Sequence, residues 1–409
     1  MRILQVNKFH YLRGGAEKYF LDMSEKLRHD GHEVAVFSMR HPKNLPSPWE
    51  KYFVSRDSFN ESKLRDRLLA PGRIIYSLES KMKFKRLVRD FRPDIIHIHN
   101  IYHQLSPSIL SVAKKNQIPV VMHLHDYKLV CPNYQLFVGG QICYRCRRHR
   151  YCQAVKHCCF HGSRVKSVLV ALEMFIHHRL WKIYERAVNL YLAPSNFMKE
   201  TVVSFGIPEA KVKVLYNFID RPGTKEEKNV PVGEYLLYYG RLSPEKGINV
   251  LLEALKITPS APSLKIVGSG PEAEKLELSV KALGIQDQVE FLDAKFGTEL
   301  EQIILGSKAV IIPSVWAENM PFVLLESLAL GKVVIASRTG GLPELIENGT
   351  SGFLFENGNA DDLANKIMAL DSCDLESIGV AAKREVLDLT LEKHYKKLLD
   401  IYHSLIKKS

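Results

Sequence analysis

Two glutamates, Glu318 and Glu326, stand on either side of a short apolar segment that begins at Pro321. Proline is favoured at the first position of a helix, so we expect a helix over residues 321–330. The backbone amides of its first turn have no partner inside the helix and would bind an anion such as a diphosphate. One carboxylate could then accept hydrogen bonds from sugar hydroxyls and the other from a ribose. In the alternative interpretation, Glu318 only caps the turn and Glu326 lies on a solvated helix face.

The second candidate is the loop of residues 240–247, GRLSPEKG, which follows a strand predicted over Tyr235–Tyr239. Its glycines let the backbone approach a ligand, and Arg241 and Lys246 supply two cations to the same loop. These charges match a diphosphate. Fixed cations would stabilise the negative charge on its bridging oxygen as a sugar–phosphate bond breaks, without a metal. An ordinary basic loop is the alternative.

In the first half of the chain, Gly14 and Gly15 mark the first strand-to-helix turn, where bare amides can face a phosphate or a second substrate. A tight turn without a ligand is the alternative. His123, His125 and Asp126 follow another predicted strand. Ligands of open parallel sheets bind at the carboxyl ends of strands, which favours His125 as a functional histidine over a histidine of the core.

Six of the seven cysteines lie between Cys131 and Cys159. Cys143 and Cys146 have the Cys-x-x-Cys spacing of a zinc site, and zinc tolerates varied loop lengths between its other ligands. The preferred four ligands are Cys131, Cys143, Cys146 and Cys158. Such a zinc would be structural because four thiolates leave no open coordination position. Buried free thiols and adventitious pairing are the alternatives.

Both halves of the chain alternate short apolar segments with segments of helical periodicity. The predicted strands are residues 2–7, 33–37, 94–99, 120–125, 235–239, 264–267, 289–292, 309–312 and 333–336. The predicted helices are residues 16–28, 248–255, 272–283, 299–305 and 321–330. Continuous apolarity suits strands that are buried on both faces. The pattern predicts the α/β class, with two doubly wound, Rossmann-like domains facing a central cleft.

We place the N-terminal domain at residues 1–215, with a cysteine-rich insertion near 131–159, and the C-terminal domain at 216–388. Residues 389–409 are expected to form a helix that packs back on the N-terminal domain. The segment 221–232 is rich in Lys, Glu, Pro and Gly and is the linker candidate.

The composition is that of a soluble globular protein: 46% of the 409 residues are hydrophobic and 25% are charged, and the length suggests two domains. The formal net charge of +12 favours nucleic acid, an anionic membrane surface or phosphorylated small molecules as partners. No apolar segment reaches the about 18 residues that a membrane span needs. The strand-like N-terminus leaves no room for a secretory signal, so we expect a cytoplasmic protein.

Several groups of residues resemble, in their order and spacing, those of the retaining family 4 glycosyltransferases. They are Gly240-Arg241 with Lys246-Gly247, Gly268-Ser-Gly270-Pro271, the segment Glu318 to Glu326, and Gly340-Gly341-Leu-Pro343-Glu344 with Asn348-Gly349. The resemblance covers nearly the whole chain. It implies a GT-B fold, a UDP- or GDP-sugar donor bound mainly by the C-terminal domain, and transfer that retains the anomeric configuration and needs no metal or other cofactor.

By this resemblance Arg241 and Lys246 would hold the diphosphate, Glu326 the ribose and Glu318 the donor sugar. The leaving phosphate would accept the proton of the acceptor in a front-face mechanism. His125 resembles the histidine that family members place in the cleft.

The predicted site residues fall into three groups. The catalytic group is His125, Glu318, Arg241 and Lys246. The donor-binding group is Gly15, Gly240, Arg241, Lys246, Gly268, Gly270, Glu318, Asn319, Met320, Pro321, Phe322 and Glu326. The acceptor-side group is Gly14, Gly15, Glu17, His123 and Asp126. Many family members have Phe-Gly where this chain has Asn319 and Met320, so the donor hexose stays open.

The segment 165–187 has basic residues and apolar residues at helical spacing, which suggests a basic amphipathic helix that docks on anionic lipid. A core-facing helix with a solvated basic face is the alternative. The resemblance favours a lipid-linked or surface-glycan acceptor and a protein on the inner face of a membrane.

Three other functions are less well supported by the sequence. A nucleotide-sugar epimerase of the same fold would need catalytic acids placed differently. An NAD-dependent oxidoreductase should carry Gly-x-Gly-x-x-Gly after the first strand, and this chain does not. A nucleic-acid-binding module should interleave aromatic residues with its basic ones, and this chain does not, so we expect no nucleic acid partner.

Overall fold

A computed structural model describes residues 1–55, 72–219, 233–258 and 260–407. The chain divides into two compact units. The N-terminal unit comprises Met1–Val138, Cys143–Leu215 and Tyr395–Ser409, and the C-terminal unit comprises Gly139–Ile142 and Tyr216–His394. The linker candidate, residues 221–232, lies outside the described residues.

The N-terminal unit contains a six-stranded parallel sheet. The strands in the first half of the chain, including a short hairpin of β5 and β6, are β1 (Arg2–Val6), β2 (Glu33–Phe37), β3 (Ile95–Ile98), β4 (Val120–His123), β5 (Phe137–Val138), β6 (Gln141–Ile142), β7 (Leu190–Ala193) and β8 (Val212–Val214). The sheet has the order β2-β1-β3-β4-β7-β8, and β5 pairs with β6. Ile3 of β1 is in register with Val34 of β2 and with Ile95 of β3. The carboxyl ends of β1, β3 and β4 therefore lie side by side.

The helices of this part of the chain cover the sheet. They are α1 (Gly15–His29), α2 (Leu78–Phe91), α3 (Ser108–Lys115), α4 (Cys152–Lys156), α5 (Arg164–Phe175), α6 (Ile183–Ala187) and α7 (Asn196–Ser204). The single helix predicted over residues 165–187 is wrong. After α5 the chain forms a π-helical turn, Ile176–Leu180, and Lys182 then adopts a left-handed conformation with φ 48°, which ends the helical segment before α6 begins.

The C-terminal unit contains a second six-stranded parallel sheet. Its strands are β9 (Tyr235–Tyr239), β10 (Ser263–Val267), β11 (Val289–Leu292), β12 (Ser307–Ile312), β13 (Val333–Ser337) and β14 (Phe353–Phe355), in the order β11-β10-β9-β12-β13-β14. The later helices are α8 (Ile248–Lys256), α9 (Ala273–Leu283), α10 (Gly297–Leu305), α11 (Phe322–Ala329), α12 (Ala360–Ala369), α13 (Leu375–Val386) and α14 (Leu391–Ile406).

Alternate residues of this sheet belong to two different apolar cores. Leu236 and Tyr238 of β9 pack into one core, whereas Leu237 and Tyr239 pack into the other. Both faces of the sheet are thus covered, which is why its strands are continuously apolar in the sequence. The predicted fold class, two Rossmann-like α/β units, is confirmed.

The chain order of the second sheet reverses at its centre, because β9 is hydrogen-bonded to β10 on one side and to β12 on the other. Loops that leave neighbouring strands at such a switch point diverge and leave room for a ligand at the carboxyl edge. The two most specific sequence patterns are residues 240–247, which form the loop after β9, and residues 318–326, which begin in the loop after β12. Within the described part of the chain, no helix has both the length and the apolar character that crossing a bilayer requires.

Candidate active site

The two loops after β9 and β12 bring Lys246 and Glu318 into direct contact. Lys246 Nζ lies 2.7 Å from Glu318 Oε1. The hydroxyl of Ser314 donates to the same oxygen at 2.6 Å. Glu318 is only 4% exposed, so a side chain predicted to face a sugar is largely shielded from water. Lys246 Nζ also lies 5.4 Å from the ring centroid of Trp316.

Glu318 is held in its charged form. Burial alone would raise the pKa of this carboxyl, but the charge of Lys246 and the hydrogen bonds from Lys246 and Ser314 lower its pKa below the ordinary value. The site therefore contains an ionised, hydrogen-bond-accepting carboxylate beside a cation. These are the groups that sugar hydroxyls and a phosphate, respectively, would bind.

Gly340 and Gly341 fix the backbone of Glu318. The amide of Gly341 donates to the Glu318 carbonyl at 2.7 Å. Gly340 has φ +60°, and a Cβ at this position would lie 2.0 Å from the Glu318 carbonyl oxygen. Gly340, the first glycine of the pair that contributed to the family resemblance, is thus required by close contact with the loop that carries Glu318.

Gly268 and Gly270 also have a packing role. A Cβ on Gly268 would lie 1.9 Å from the carbonyl oxygen of Gly240, and one on Gly270 would lie 2.1 Å from that of Leu242. The amide of Gly240 donates to the Val267 carbonyl at 3.0 Å. These glycines let the loops after β9 and β10 lie against each other, and this contact accounts for them without a ligand. Their predicted donor contact stays a prediction.

The helix after Glu318 begins one residue later than predicted. Pro321 is the N-cap residue with φ −72° and ψ 140°, and α11 runs from Phe322 to Ala329. Glu326 lies half-buried on this helix, and the hydroxyl of Tyr239 approaches its Oε2 to 3.5 Å. The same hydroxyl donates to the Val323 carbonyl at 2.9 Å, which fastens α11 to the end of β9.

Among the other predicted donor contacts, that of Met320 stays a prediction for its backbone. Met320 is 2% exposed and packs in the core below α11, so its side chain is not available to a sugar. Its carbonyl accepts a hydrogen bond from the Asn217 side chain at 2.8 Å. Asn319 is 9% exposed, whereas Phe322 is half-buried.

Arg241 differs from Lys246 in its surroundings. Its side chain is exposed, and its carbonyl accepts a hydrogen bond from the Tyr238 hydroxyl at 2.8 Å. Removing Lys246 would leave a buried carboxylate without its cation, and this costs stability as well as any binding. Arg241 is therefore the cation whose replacement tests binding most cleanly.

In the N-terminal unit, polar side chains form a row across the carboxyl ends of β1, β3 and β4. His125 Nε2 lies 2.9 Å from His99 Nδ1, and His99 Nε2 lies 2.9 Å from Gln5 Oε1. Since the amide oxygen of Gln5 can only accept, His99 Nε2 carries the proton and His99 Nδ1 accepts from His125. Nδ1 is then the acceptor atom of the His125 ring.

Burial keeps His125 neutral, because it lowers the pKa of this imidazole to about 3. A histidine with such a low pKa can accept a hydrogen bond but is a weak base. His123 is only 1% exposed and stacks on His125 with ring centroids 4.6 Å apart. His123 therefore packs as a core histidine against His125, and its predicted acceptor contact stays a prediction.

Ionisable groups surround this row. Burial raises the pKa of Asp126 to about 6, although the amide and the charge of Lys128 oppose the shift. Burial also lowers the pKa of Lys8 to about 8, with Arg13 acting in the same direction. Glu17, in the first turn of α1, is 6% exposed, and its burial raises its pKa. Perturbed carboxyl and amine groups at one sheet edge are typical of functional sites.

Gly14 and Gly15 are exposed beside these groups. Gly14 is the N-cap residue of α1 and has extended backbone angles. A Cβ there would meet only Glu17 Oε2, at 3.8 Å. Packing does not require this glycine, in contrast to Gly340.

Sequence reasoning missed His99, Lys8 and Gln5. The alternation of His97 and His99 along β3 placed both on one face of the sheet, and His99 at the end of the strand was a detectable signal. Gln5 is inside a strand and shows no such signal. Its role depends on its position in the sheet next to β3.

The structural zinc predicted at Cys131, Cys143, Cys146 and Cys158 stays a prediction. Among the described residues, no group of three or more His, Cys, Asp or Glu side chains is arranged to hold a metal ion. The Cys131 thiol instead donates to Asn133 Oδ1 at 2.8 Å, and burial raises the pKa of Cys131 to about 12, which keeps it protonated. The Cys158 thiol faces the Val155 carbonyl at 3.9 Å. All seven cysteines are free.

The two parallel-sheet units and the loops at the switch point of the second sheet define a glycosyltransferase of the GT-B fold. A family model described as Glycosyltransferase Family 4 matches residues 13–221, and one described as Glycosyl transferases group 1 matches residues 221–383. The first model alone covers more than half of the chain. The protein therefore belongs to glycosyltransferase family 4, and the resemblance found in its sequence is confirmed.

Curated relatives share about a quarter of their residues with this chain. An uncharacterized 42.6 kDa protein in the cps region of Klebsiella pneumoniae is 24% identical over 359 residues, which are 84% of this chain and 87% of that protein. The amylovoran biosynthesis glycosyltransferase of Erwinia amylovora is 26% identical over 65% of this chain and 68% of its own length. The match with the sulfoquinovosyl transferase of Arabidopsis thaliana, 26% identical over 72% of this chain, spans about half (53%) of that protein.

Solved structures show the same fold over the whole chain. The sucrose-phosphate synthase from Thermosynechococcus elongatus has a TM-score of 0.71 at 18% identity, and it covers 100% of both chains. The Anabaena HepE protein, solved in complex with UDP-glucose, has a TM-score of 0.69 at 19% identity and covers 99% of this chain and 100% of its own.

Proposed function

We propose that this chain is a retaining hexosyltransferase that moves a sugar from a UDP- or GDP-sugar to a lipid-linked or surface-glycan acceptor. The observation that carries the proposal is the contact between Lys246 and the buried carboxylate of Glu318, on the two loops of the switch point. Without a ligand, Glu318 neutralises Lys246. A diphosphate would compete for this cation, and Glu318 would then accept hydrogen bonds from hydroxyls of the donor sugar.

The cations and the carboxylates have different tasks in this scheme. Arg241 and Lys246 bind the diphosphate and stabilise the charge that develops as it leaves, an interaction stronger in the transition state than in the ground state. Glu326, which is half-buried on α11, accepts hydrogen bonds from the ribose hydroxyls. The leaving phosphate accepts the proton of the acceptor hydroxyl, so the low pKa of His125 is no obstacle.

In the N-terminal unit, the acceptor would bind at the carboxyl edge of β1, β3 and β4. We assign to the imidazole of His125 and the carboxylate of Asp126 the task of orienting the acceptor hydroxyl for attack. Gly14 and Gly15 leave the backbone at the start of α1 accessible. Catalysis needs no metal because the two cations supply the positive charge that the leaving group requires.

The relatives support the choice of substrates. The solved HepE structure contains UDP-glucose, and another neighbour is a lipopolysaccharide outer core galactosyltransferase. Amylovoran and colanic acid biosynthesis enzymes are among the curated relatives. A role in polysaccharide synthesis fits these names, and a membrane-bound, lipid-linked intermediate would bring the acceptor to the inner surface of a membrane.

The proposal is tested by incubating the purified protein with a panel of UDP- and GDP-hexoses and a membrane extract that contains lipid-linked glycans. We expect one donor to release its nucleoside diphosphate together with a glycosylated lipid whose new anomeric centre, observed by proton NMR, has the donor's configuration. An inverted product would refute the retaining mechanism. Interconversion of the donor sugar without glycosylated product would instead indicate the epimerase.

A further inference from the structure

The helix α5 has apolar residues on two opposite faces. One face packs into the N-terminal unit through Val170, Ala171 and Met174. Four large apolar residues at positions i, i+3, i+7 and i+10 point the other way and are between 42% and 81% exposed: Val165, Val168, Leu172 and Phe175. A helix on the surface of a soluble domain normally has polar residues on this side.

The exposed apolar surface continues beyond α5. Leu180 is 57% exposed and Trp181 is 40% exposed, and the ring of Tyr76 supports Trp181 edge-on at 5.5 Å. We call the six residues Val165, Val168, Leu172, Phe175, Leu180 and Trp181 the apolar face. Sixteen large hydrophobic side chains are exposed in the described part of the chain, and six of them lie within residues 165–181, so they are concentrated in one short segment.

The stretch of chain that contains the apolar face is strongly basic. Ten Lys and Arg residues lie between residues 145 and 186, and all of them are exposed: Arg145, Arg147, Arg148, Arg150, Lys156, Arg164, Lys166, Arg179, Lys182 and Arg186.

The same stretch contains two carboxylates, and neither is exposed. Glu173 is 1% exposed and pairs with the buried Lys128 at 2.8 Å. Glu185 lies 2.7 Å from His178 Nδ1. The exposed Lys, Arg, Asp and Glu side chains of residues 145–186 are therefore all positively charged.

We propose that the apolar face docks on a lipid bilayer that contains anionic headgroups. Apolar side chains of an interfacial helix enter the boundary between headgroups and acyl chains, while the flanking cations meet phosphates. Trp181 has the amphipathic ring that favours this boundary. A second copy of this chain is a poor partner, because symmetric contact would bring two sets of exposed cations together.

Docking would hold the N-terminal unit at the surface where a lipid-linked acceptor lies. The inference goes beyond the proposed function and does not depend on it, because vesicle binding requires neither donor nor acceptor. Failure of vesicle binding can therefore be distinguished from failure of the proposed transfer activity.

The test is flotation of the full-length protein with vesicles of phosphatidylcholine alone and of phosphatidylcholine mixed with phosphatidylglycerol. We expect binding to the mixed vesicles, weakened by salt. Leu172→Ser/Phe175→Ser should lower the partition coefficient by at least about tenfold, because two apolar contacts are lost. Arg179→Ser/Lys182→Ser should lower it by about tenfold, on the mixed vesicles only.

The matched control is Leu278→Ser/Phe296→Ser, which removes two comparably exposed apolar side chains, 64% and 70% exposed, from the C-terminal unit. This control should bind as the wild type does. Binding that is equal in all variants, or equal on both kinds of vesicle, would overturn the proposal. The proposal would also be overturned if the wild-type protein did not bind vesicles but formed a dimer, and if Leu172→Ser/Phe175→Ser dissociated that dimer.

A spectroscopic readout locates the contact. With Trp49 and Trp316 replaced by phenylalanine, Trp181 is the one remaining tryptophan of the chain. Its emission should shift to shorter wavelength on mixed vesicles and should be quenched by brominated lipid. An emission that neither shifts nor is quenched would place Trp181 outside the lipid and contradict docking through this face.

Discussion

Replacing Gly340 with alanine should damage the candidate site although Gly340 has no proposed contact with substrate. The residue has φ +60°, and the added Cβ would lie 2.0 Å from the carbonyl oxygen and 2.5 Å from the amide nitrogen of Glu318. Both are backbone atoms, so no side-chain rotation relieves the clash. The loop that carries Glu318 has to move, and Glu318 then leaves its place beside Lys246.

The magnitude follows from two contributions. A left-handed conformation costs a residue with a Cβ about 1–2 kcal/mol relative to glycine. Forcing an extra carbon into a packed site adds about 1–3 kcal/mol. Gly340→Ala should therefore lower the free energy of unfolding of the C-terminal unit by about 2–5 kcal/mol. Gly349→Ala is the matched control: its φ is +86° but no atom lies within 4 Å of the added Cβ, so only the first contribution applies.

Both substitutions are made in a protein whose Trp49 and Trp181 are replaced by phenylalanine, so that the fluorescence of Trp316 reports on the C-terminal unit during urea unfolding. Transfer activity is measured in parallel. We expect Gly340→Ala to lose activity at urea concentrations where it is still folded, and Gly349→Ala to keep it. Equal destabilisation by the two changes, or normal activity of folded Gly340→Ala, would refute the reasoning.

Four further changes test other parts of the site. Arg241→Ala should reduce turnover by about 100-fold or more, as loss of a charge-stabilising group typically does, with no change in melting temperature because the side chain is exposed; near-normal turnover would remove Arg241 from the leaving-group role. Glu326→Ala should weaken the affinity for the nucleotide in a calorimetric titration, because a hydrogen bond with the ribose is lost. An unchanged nucleotide affinity would reject the ribose contact. Glu173→Gln leaves the buried Lys128 without its anion and should lower the free energy of unfolding of the N-terminal unit by about 3–5 kcal/mol in urea. The double variant Glu173→Leu/Lys128→Met should recover most of this loss. If the double variant were no more stable than Glu173→Gln, the broken ion pair would not be the cause. Finally, kcat/KM should rise as the pH increases through about 6, because Asp126 ionises there. Asp126→Asn should lower kcat/KM and remove this pH dependence. If the same rise persisted in Asp126→Asn, it would belong to another group.

The sequence predicted the sheets well because burial on both faces makes strands such as β9 and β12 continuously apolar. The family resemblance also implied that Lys246 and Glu318 bind the same donor, and the structure places their loops after neighbouring strands of one parallel sheet. That the two side chains form an ion pair is a property of the strand order, in which β12 lies next to β9. Strand order cannot be read from apolar patterns alone.

Other features could not be read from the sequence because they depend on contacts between distant residues or on local backbone conformation. Met320 stands beside Glu318 in the sequence, but its side chain fills the core below α11. Gly268 was assigned to a ligand, and the structure shows that the nearby carbonyl of Gly240 already requires a glycine there. The predicted single helix after residue 165 ends at a left-handed Lys182, a conformation that no sequence periodicity reveals.

The central claim is that the C-terminal unit binds a nucleoside diphosphate through Arg241 and Lys246. The most direct test is a thermal-shift screen of the wild-type protein and Arg241→Ala with UDP, GDP, ADP, NAD and their sugar conjugates, because a ligand of the native state raises its melting temperature. We predict a shift with UDP or GDP in the wild type and a much smaller one in Arg241→Ala. A shift with NAD alone, or an equal shift in both proteins, would contradict the account.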